Sequence, residues 1–161
     1  MRSPSQSSIS NERQLRTFNL KLFTDLRRDA MGKKMSKDNN AINWFEIAAT
    51  DIKRATKFYE AIFDITMIPM EMKETKMAMF PSEGAGGTVG GALVQSQMHK
   101  PNTAGTIVYL NGNPNLQLVL DRIPKAGGIV TVPKTLINKE TGYMALFTDT
   151  EGNVVALHSN E

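Results

Sequence analysis

The sequence predicts an α+β fold made of two similar modules, each with the order strand, helix, strand, strand, strand. Short apolar or alternating segments indicate strands, and two longer segments repeat their apolar residues at helical spacing. This order occurs once over residues 41–96 and again over residues 105–159. Because one such module is too small to bury its sheet alone, we expect the two modules to pack together.

The first module begins with a nearly continuous apolar strand, AINWFEIAA. The following segment, TDIKRATKFYEAIFDI, predicts an amphipathic helix that Thr50 or Asp51 can cap. The apolar stripe of this helix consists of Ile52, Ala55, Phe58, Tyr59 and Ile62. Three strand candidates follow: TMIPMEMKE, KMAMFPSE and TVGGALVQS. The glycines of EGAGGTVGG lack the Lys-Ser/Thr pair of a phosphate-binding loop and predict a mobile loop at the mouth of a cavity.

The second module repeats this order. GTIVYLNG predicts a strand, and NPNLQLVLDRIPKAG predicts a helix that Pro124 ends or kinks and that stops near Gly127. GIVTVPKTLIN, TGYMALFTDT and GNVVALHS predict three more strands. Gly152 and Asn153 suit the tight turn between the last two strands.

The composition excludes several function classes. The chain has 161 residues, enough for one ordinary domain with a tail. It contains no cysteine, which excludes thiolate metal sites and cysteine nucleophiles and fits a cytoplasmic location. No apolar run reaches the roughly 18 residues needed to span a membrane. The formal net charge is +3, but the basic excess belongs to residues 1–40 and the remainder is mildly acidic, so we expect no nucleic-acid partner.

Residues 1–40 predict a basic N-terminal extension that is partly helical or disordered. MRSPSQSSIS is rich in serine and nearly without apolar residues. The next residues carry apolar side chains at helical spacing, namely Leu15, Phe18, Leu22 and Leu26. Three interpretations stay open: a mobile extension or upstream sequence translated from a misplaced start, an organelle transit peptide, or a helix that docks on a membrane or a partner.

The predicted modules resemble a known family. NWFEIAATDIKRATKFYEAIFDI resembles the opening of a vicinal-oxygen-chelate domain, and GGIVTVPKTLINKETGYMALFTDTEGNVVALHS resembles its closing half. This superfamily contains glyoxalases, bleomycin-resistance proteins and extradiol dioxygenases. The resemblance covers about residues 41–160, so we expect residues 41–161 to form a single two-module domain. It implies an eight-stranded, cup-shaped mixed sheet with helices outside and a ligand cavity inside.

The resemblance also implies where a metal would be held. Metal-dependent members use His, Glu or Gln side chains on the first and last strands of each module. In this chain those places fall at Trp44, about Gly91, near Val108 and at Ala156. None of these side chains can ligate a metal ion, and a metal site requires three or more oxygen or nitrogen donors. We therefore expect a protein without metal or cofactor; an unusual metal set built from Glu46 and His158 is the alternative.

The strand period of two predicts which side chains line the cup. Trp44 and Glu46 share one face of the first strand, and Ala156 and His158 share one face of the last. The candidate binding residues are Trp44, Glu46, Val108, Ala156 and His158, with Glu46 as the candidate catalytic base. Each also has a structural interpretation: Trp44 as a core aromatic, Glu46 as an ion pair, and His158 as a solvated residue near the chain end. We expect His99, in a polar loop, to be solvated.

These residues support three hypotheses. The first is a metal-free glyoxalase-like protein that binds a small organic molecule, as resistance proteins of this superfamily do. The second is a metal-independent lyase or isomerase that uses Glu46 as a general base. The third, a metal-dependent glyoxalase-type lyase or dioxygenase, is disfavoured by the missing ligands. A homodimer would fit the resemblance, because paired modules in this family often share cups between chains.

Overall fold

The strands form two mixed sheets of four, and each sheet takes all its strands from one module. The computed structural model describes Lys37, residues 41–82 and residues 89–161. The predictions for the N-terminal extension and for most of the glycine-rich loop lie outside these described residues.

The first module contains β1 (Trp44–Ala48), α1 (Ile52–Phe63), β2 (Ile68–Met72), β3 (Thr75–Met79) and β4 (Gly90–Gln95). The second contains β5 (Tyr109–Asn111), α2 (Gln117–Leu120), α3 (Ile123–Ala126), β6 (Ile129–Asn138), β7 (Gly142–Thr148) and β8 (Val154–Ser159).

The two sheets have the same topology. The strand orders are β1-β4-β3-β2 and β5-β8-β7-β6. In each sheet the first strand runs parallel to the last, and the other pairs are antiparallel. The predicted α+β class and the repeated module are therefore confirmed.

Helix α1 carries the predicted apolar stripe into a core that both modules share. Ala55, Phe58, Tyr59 and Ile62 are almost completely buried. The Phe58 ring lies edge-on to Tyr59 and also contacts Phe147 of β7, with centroid separations of 5.1 and 6.0 Å. Since aromatic burial of this kind dominates core energetics, the helix of the first module is stabilised by a strand of the second.

The second predicted helix is divided in two. Pro124 occupies the first turn of α3, where its missing N–H has no helical partner to lose. Gly127 ends α3 with a φ of 96°, a left-handed conformation that favours glycine. Leu116, just before α2, and Ile123 are completely buried. No helix among the described residues is long and apolar enough to cross a membrane.

The turn between β7 and β8 is closed by the buried side chain of Asp149. One carboxylate oxygen accepts hydrogen bonds from the backbone amides of Glu151 and Asn153, at 2.9 and 2.8 Å. The other accepts from the Tyr59 hydroxyl of α1 at 2.9 Å. Burial, and then the adjacent Asp149 charge, raise the pKa of Tyr59, which keeps the hydroxyl protonated as a donor. The Asn153 amide also donates to the carbonyl of Ala48 at the end of β1, 2.8 Å away.

The same turn places Glu151 at the N-terminus of α1. Asp51 caps this helix by accepting from the amides of Lys53 and Arg54. Thr50, the other predicted cap, instead donates hydrogen bonds from its backbone amide and its hydroxyl to the Glu151 carboxylate, at 2.8 and 2.6 Å. The Asp51 amide and the Arg54 guanidinium also donate to this carboxylate. We call the contacts of Asp149, Glu151 and Asn153 with β1 and α1 the turn clamp.

Electrostatics at the turn clamp favour the ionised carboxylate. Burial of Glu151 acts to raise its pKa, but hydrogen bonds from Arg54, Thr50 and two backbone amides outweigh it and lower the pKa to about 2. The side chain has no exposed surface. Ionised Glu151 therefore stabilises the folded state.

We expect the Glu151→Gln variant to be less stable than wild type by on the order of 2 kcal/mol at pH 7. Because the folded pKa is lowered, the stabilisation is complete above the unfolded pKa, near 4.5, and is lost as the pH falls towards 2. Urea unfolding between pH 7 and pH 3 should show the two proteins converging. Glu71→Gln, at an exposed position of β2, is the matched control. A stability difference that stays constant with pH would contradict this account of Glu151.

Candidate functional site

The two faces of β1 have different environments. Phe45 and Ile47 face the core beneath α1. Trp44 and Glu46 alternate with them and therefore lie on the opposite face, which we call the inner face. The Trp44 side chain is 44% exposed although it is large and apolar. The interpretation of Trp44 as a core aromatic is therefore wrong. Its ring is available for contact with another molecule.

Glu46 is the centre of a hydrogen-bonded group on the inner face. One of its carboxylate oxygens accepts from the indole nitrogen of Trp44 at 3.2 Å. The other lies 2.8 Å from Nε2 of His99. The Glu46 side chain is 36% exposed, so its carboxylate is accessible as well as paired.

His99 was expected to be a solvated loop residue, and this prediction is wrong. Its side chain is only 29% exposed, and both ring nitrogens have partners. Nδ1 lies 2.7 Å from the hydroxyl oxygen of Ser96, which also accepts from the Met98 amide. No local pattern could reveal the pairing with Glu46, because the two residues are 53 positions apart.

The hydrogen-bond roles in this group depend on the tautomer of His99. With the ring proton on Nε2, His99 donates to Glu46 and its Nδ1 accepts from the Ser96 hydroxyl. We call Ser96, His99 and Glu46 the relay.

Two cavities border the relay. The larger, of about 470 Å³, is lined mainly by polar side chains: Ala49, Thr50, Glu74, Lys76, Gln95, Ser96, Gln97, His99 and Lys100. The smaller, of about 170 Å³, lies between β1 and the strands of the second module. Glu46, Val108 and Val154 are among its lining residues. Lys100, in the loop after β4, lines both cavities.

The other three predicted binding residues, Val108, Ala156 and His158, do not form one group with Trp44 and Glu46. Val108 precedes β5 and shares the smaller cavity with Glu46. Ala156 is completely buried, and its neighbour in the parallel pair is Tyr109, whose side chain is half exposed. His158 bonds through Nε2 to the carbonyl of Thr141 at 2.7 Å. It is thus held by the turn between β6 and β7 and does not join the relay.

The residues at the family's metal positions do not fit a divalent ion. Trp44 is paired with Gly90, and a side chain at Gly90 would start 3.0 Å from the indole ring. The sequence placed this position at about Gly91, but Gly91 pairs with Phe45 on the core side. Across the described residues, no three His, Cys, Asp or Glu side chains converge as a metal site would require. Glu46 pairs with His99, which leaves the alternative set of Glu46 and His158 without support.

A family model confirms the class of fold that this topology indicates. Residues 41–157 match the glyoxalase/bleomycin resistance protein/dioxygenase superfamily. The chain belongs to this superfamily. No curated protein sequence matches it significantly.

Solved structures share the fold at low sequence identity. A glyoxalase I mutant from Zea mays is 15% identical with a TM-score of 0.59, over 74% of this chain but only 45% of the maize chain. TnmS3, an antibiotic binding protein from Streptomyces sp. CB03234, is 19% identical with a TM-score of 0.55, over 78% of this chain and 100% of that one. The hypothetical protein SA1046 from S. aureus is 18% identical with a TM-score of 0.51, over 80% and 95% of the two chains.

We expect Gly90→Val to displace the Trp44 ring, because the new side chain would enter the space beside the indole. Trp44 is the only tryptophan of the chain, so its fluorescence reports this site alone. Acrylamide should quench the emission of the variant with a clearly different Stern–Volmer constant from that of wild type. Thr131→Val, at an exposed position of β6, should leave the quenching constant unchanged. Equal constants for Gly90→Val and wild type would show that Trp44 does not lie over Gly90.

Proposed function

We propose that this is a metal-free glyoxalase-like protein that binds a small organic molecule beside the relay. The observation that supports this most is that the relay borders two cavities, with Ser96 and His99 lining the larger and Glu46 lining the smaller. Ligand sites combine apolar or aromatic surface with a few placed polar groups in this way. The larger cavity, at about 470 Å³, has the size of a drug-like ligand site.

The lining indicates what kind of ligand would fit. Lys76, Lys100 and Gln95 bring donors to the larger cavity, and Glu74 adds one carboxylate. Trp44 lines neither cavity, but its exposed ring lies beside Glu46 and offers a face on which a ligand that extends past this carboxylate can stack. We therefore propose an aromatic molecule that carries hydrogen-bond acceptors. The fold shared with an antibiotic binding protein makes antibiotic-like compounds a suitable first library.

The contact between Glu46 and His99 favours a second candidate, a metal-independent lyase or isomerase. A carboxylate that is partly exposed can take a proton from a bound ligand, and a histidine 2.8 Å away can pass it on. In this candidate Glu46 is the general base. The proposal for either candidate includes a cytoplasmic location and a homodimer.

A ligand screen separates the binder from the enzyme. We expect hits to raise the melting temperature, quench Trp44 fluorescence, and bind the Trp44→Leu variant roughly five- to tenfold more weakly, since an aromatic contact contributes about 1 kcal/mol. Leu118→Ala, at an exposed position of α2, is the control. Binding without turnover in wild type and in Glu46→Gln supports the binder. Turnover that Glu46→Gln abolishes would replace it with the enzyme, and hits that ignore Trp44 would contradict the proposed position.

Metal analysis tests the proposal that the protein works without a metal. We expect purified protein to contain far less than one equivalent of Ni, Zn, Fe or Mn per chain, and added metal not to raise its melting temperature. The physical reason is the lack of converging donors among the described residues. Elemental analysis before and after dialysis against a chelator makes the measurement. A stoichiometric metal that the chelator removes with loss of stability would refute the proposal.

A further inference from the structure

We propose that Ser96 is a nucleophile, activated by His99 and positioned by Glu46, that accepts acyl groups from esters or thioesters. This activity goes beyond ligand binding and beyond proton transfer by Glu46. It concerns a covalent step at a residue that sequence reasoning did not select. It does not depend on the identity of the ligand proposed above.

The geometry of the relay places a hydroxyl, an imidazole and a carboxylate in series. The Ser96 oxygen lies 2.7 Å from His99 Nδ1, and His99 Nε2 lies 2.8 Å from Glu46. A nucleophile within hydrogen-bond reach of a base, with the base oriented by a third group, activates serine in unrelated folds; in the serine triad Nε2 faces the serine and Nδ1 the carboxylate, and here the two nitrogens are exchanged. Here Ser96 and His99 would be catalytic residues, and Glu46 a positioning residue.

One tautomer of His99 suits this chemistry. With the ring proton on Nε2, where it is donated to Glu46, the Nδ1 lone pair is available to take the Ser96 proton. The Met98 amide donates to the same hydroxyl oxygen at 3.2 Å, which directs the hydroxyl hydrogen towards His99. Glu46 then faces the positive charge that forms on the imidazole, and stabilises it.

An acyl compound has room to reach the hydroxyl. Ser96 and His99 both line the larger cavity, together with Lys76 and Lys100. Glu74 lines the same cavity, so the cavity's two ammonium groups outnumber its one carboxylate and favour a substrate that carries a carboxylate or phosphate. We therefore assign the site to anionic acyl compounds rather than to neutral lipids.

The reaction balances without a metal or an oxidant. The Ser96 oxygen forms a bond to the acyl carbon as its proton passes to His99 Nδ1. The bond from that carbon to the alcohol or thiol breaks, and the leaving group takes the proton from His99. Water then attacks the acyl-serine with His99 as base, which releases the acid and restores the serine.

A fluorophosphonate reagent tests the nucleophile directly on the full-length wild-type protein. The serine oxygen displaces fluoride, and mass spectrometry of the digested protein identifies the labelled serine. We expect one adduct, on Ser96, and none in Ser96→Ala. Ser82→Ala, which changes an exposed serine outside the cavity, should label like wild type.

Two further variants test the relay. His99→Ala should label about 100-fold more slowly, the scale of general-base catalysis, and added imidazole should restore part of the rate. With p-nitrophenyl acetate, Glu46→Gln should lower kcat with little change in KM, as expected for a residue that orients the base.

Several results would overturn this inference. They are the absence of an adduct on Ser96 in wild type, labelling of Ser82 and Ser96 at equal rates, and a His99→Ala variant that labels as fast as wild type. The first two are read on the native protein, so no variant needs to fold for them to count. A failed labelling experiment together with successful ligand binding would reject the nucleophile and leave the binding proposal standing.

Discussion

The structure depends above all on the turn clamp, in which one tight turn of the second module completes both the first strand and the first helix. Asp149 closes the turn and receives the buried Tyr59 hydroxyl. Glu151 satisfies two backbone amides at the start of α1, and Asn153 satisfies the last carbonyl of β1. Backbone groups at helix and strand ends need partners when they are buried. In this chain the second module supplies such partners to the first, so the first module is not a finished unit by itself.

The same constraint positions the candidate site. Fixing the end of β1 through Asn153 fixes the strand on which Trp44 and Glu46 stand, and fixing α1 holds the core side of that strand. The inner face is then left free of core packing. On this face the Trp44 indole lies against Gly90, and the relay lies beside it.

The sequence was sufficient for the fold because fold information is periodic and local. The apolar stripe of α1, the interruption at Pro124 and the repeated module order were all predicted and are present. Alternation on β1 also predicted correctly that Trp44 and Glu46 share a face. The residue that pairs with Trp44 is Gly90, within the segment where the position about Gly91 is predicted, and consecutive glycines carry no alternation that could set the register more finely.

The site was less predictable because its contacts are long-range. His99 lies in a polar loop with no pattern of its own, and only the folded chain brings it to Glu46. For His158 the reverse holds. Its position on β8 predicts a side chain that lines the cup, but its ring forms a hydrogen bond with the carbonyl of Thr141. The alternation of side chains along a strand predicts which face of the sheet a side chain lies on. It does not predict which loop residue that side chain will bond.

One consequence of the turn clamp concerns the order in which the chain assembles during synthesis. The backbone amides at the N-terminus of α1 find their acceptor only in Glu151, about 100 residues later in the chain. The Tyr59 hydroxyl likewise donates to Asp149, 90 residues later. The first module therefore becomes fully bonded only once residues 149–153 have been synthesised. Such distant pairings slow folding and expose unfinished surfaces. Removal of the turn that carries these residues would accordingly disturb β1 and α1 as much as the final hairpin.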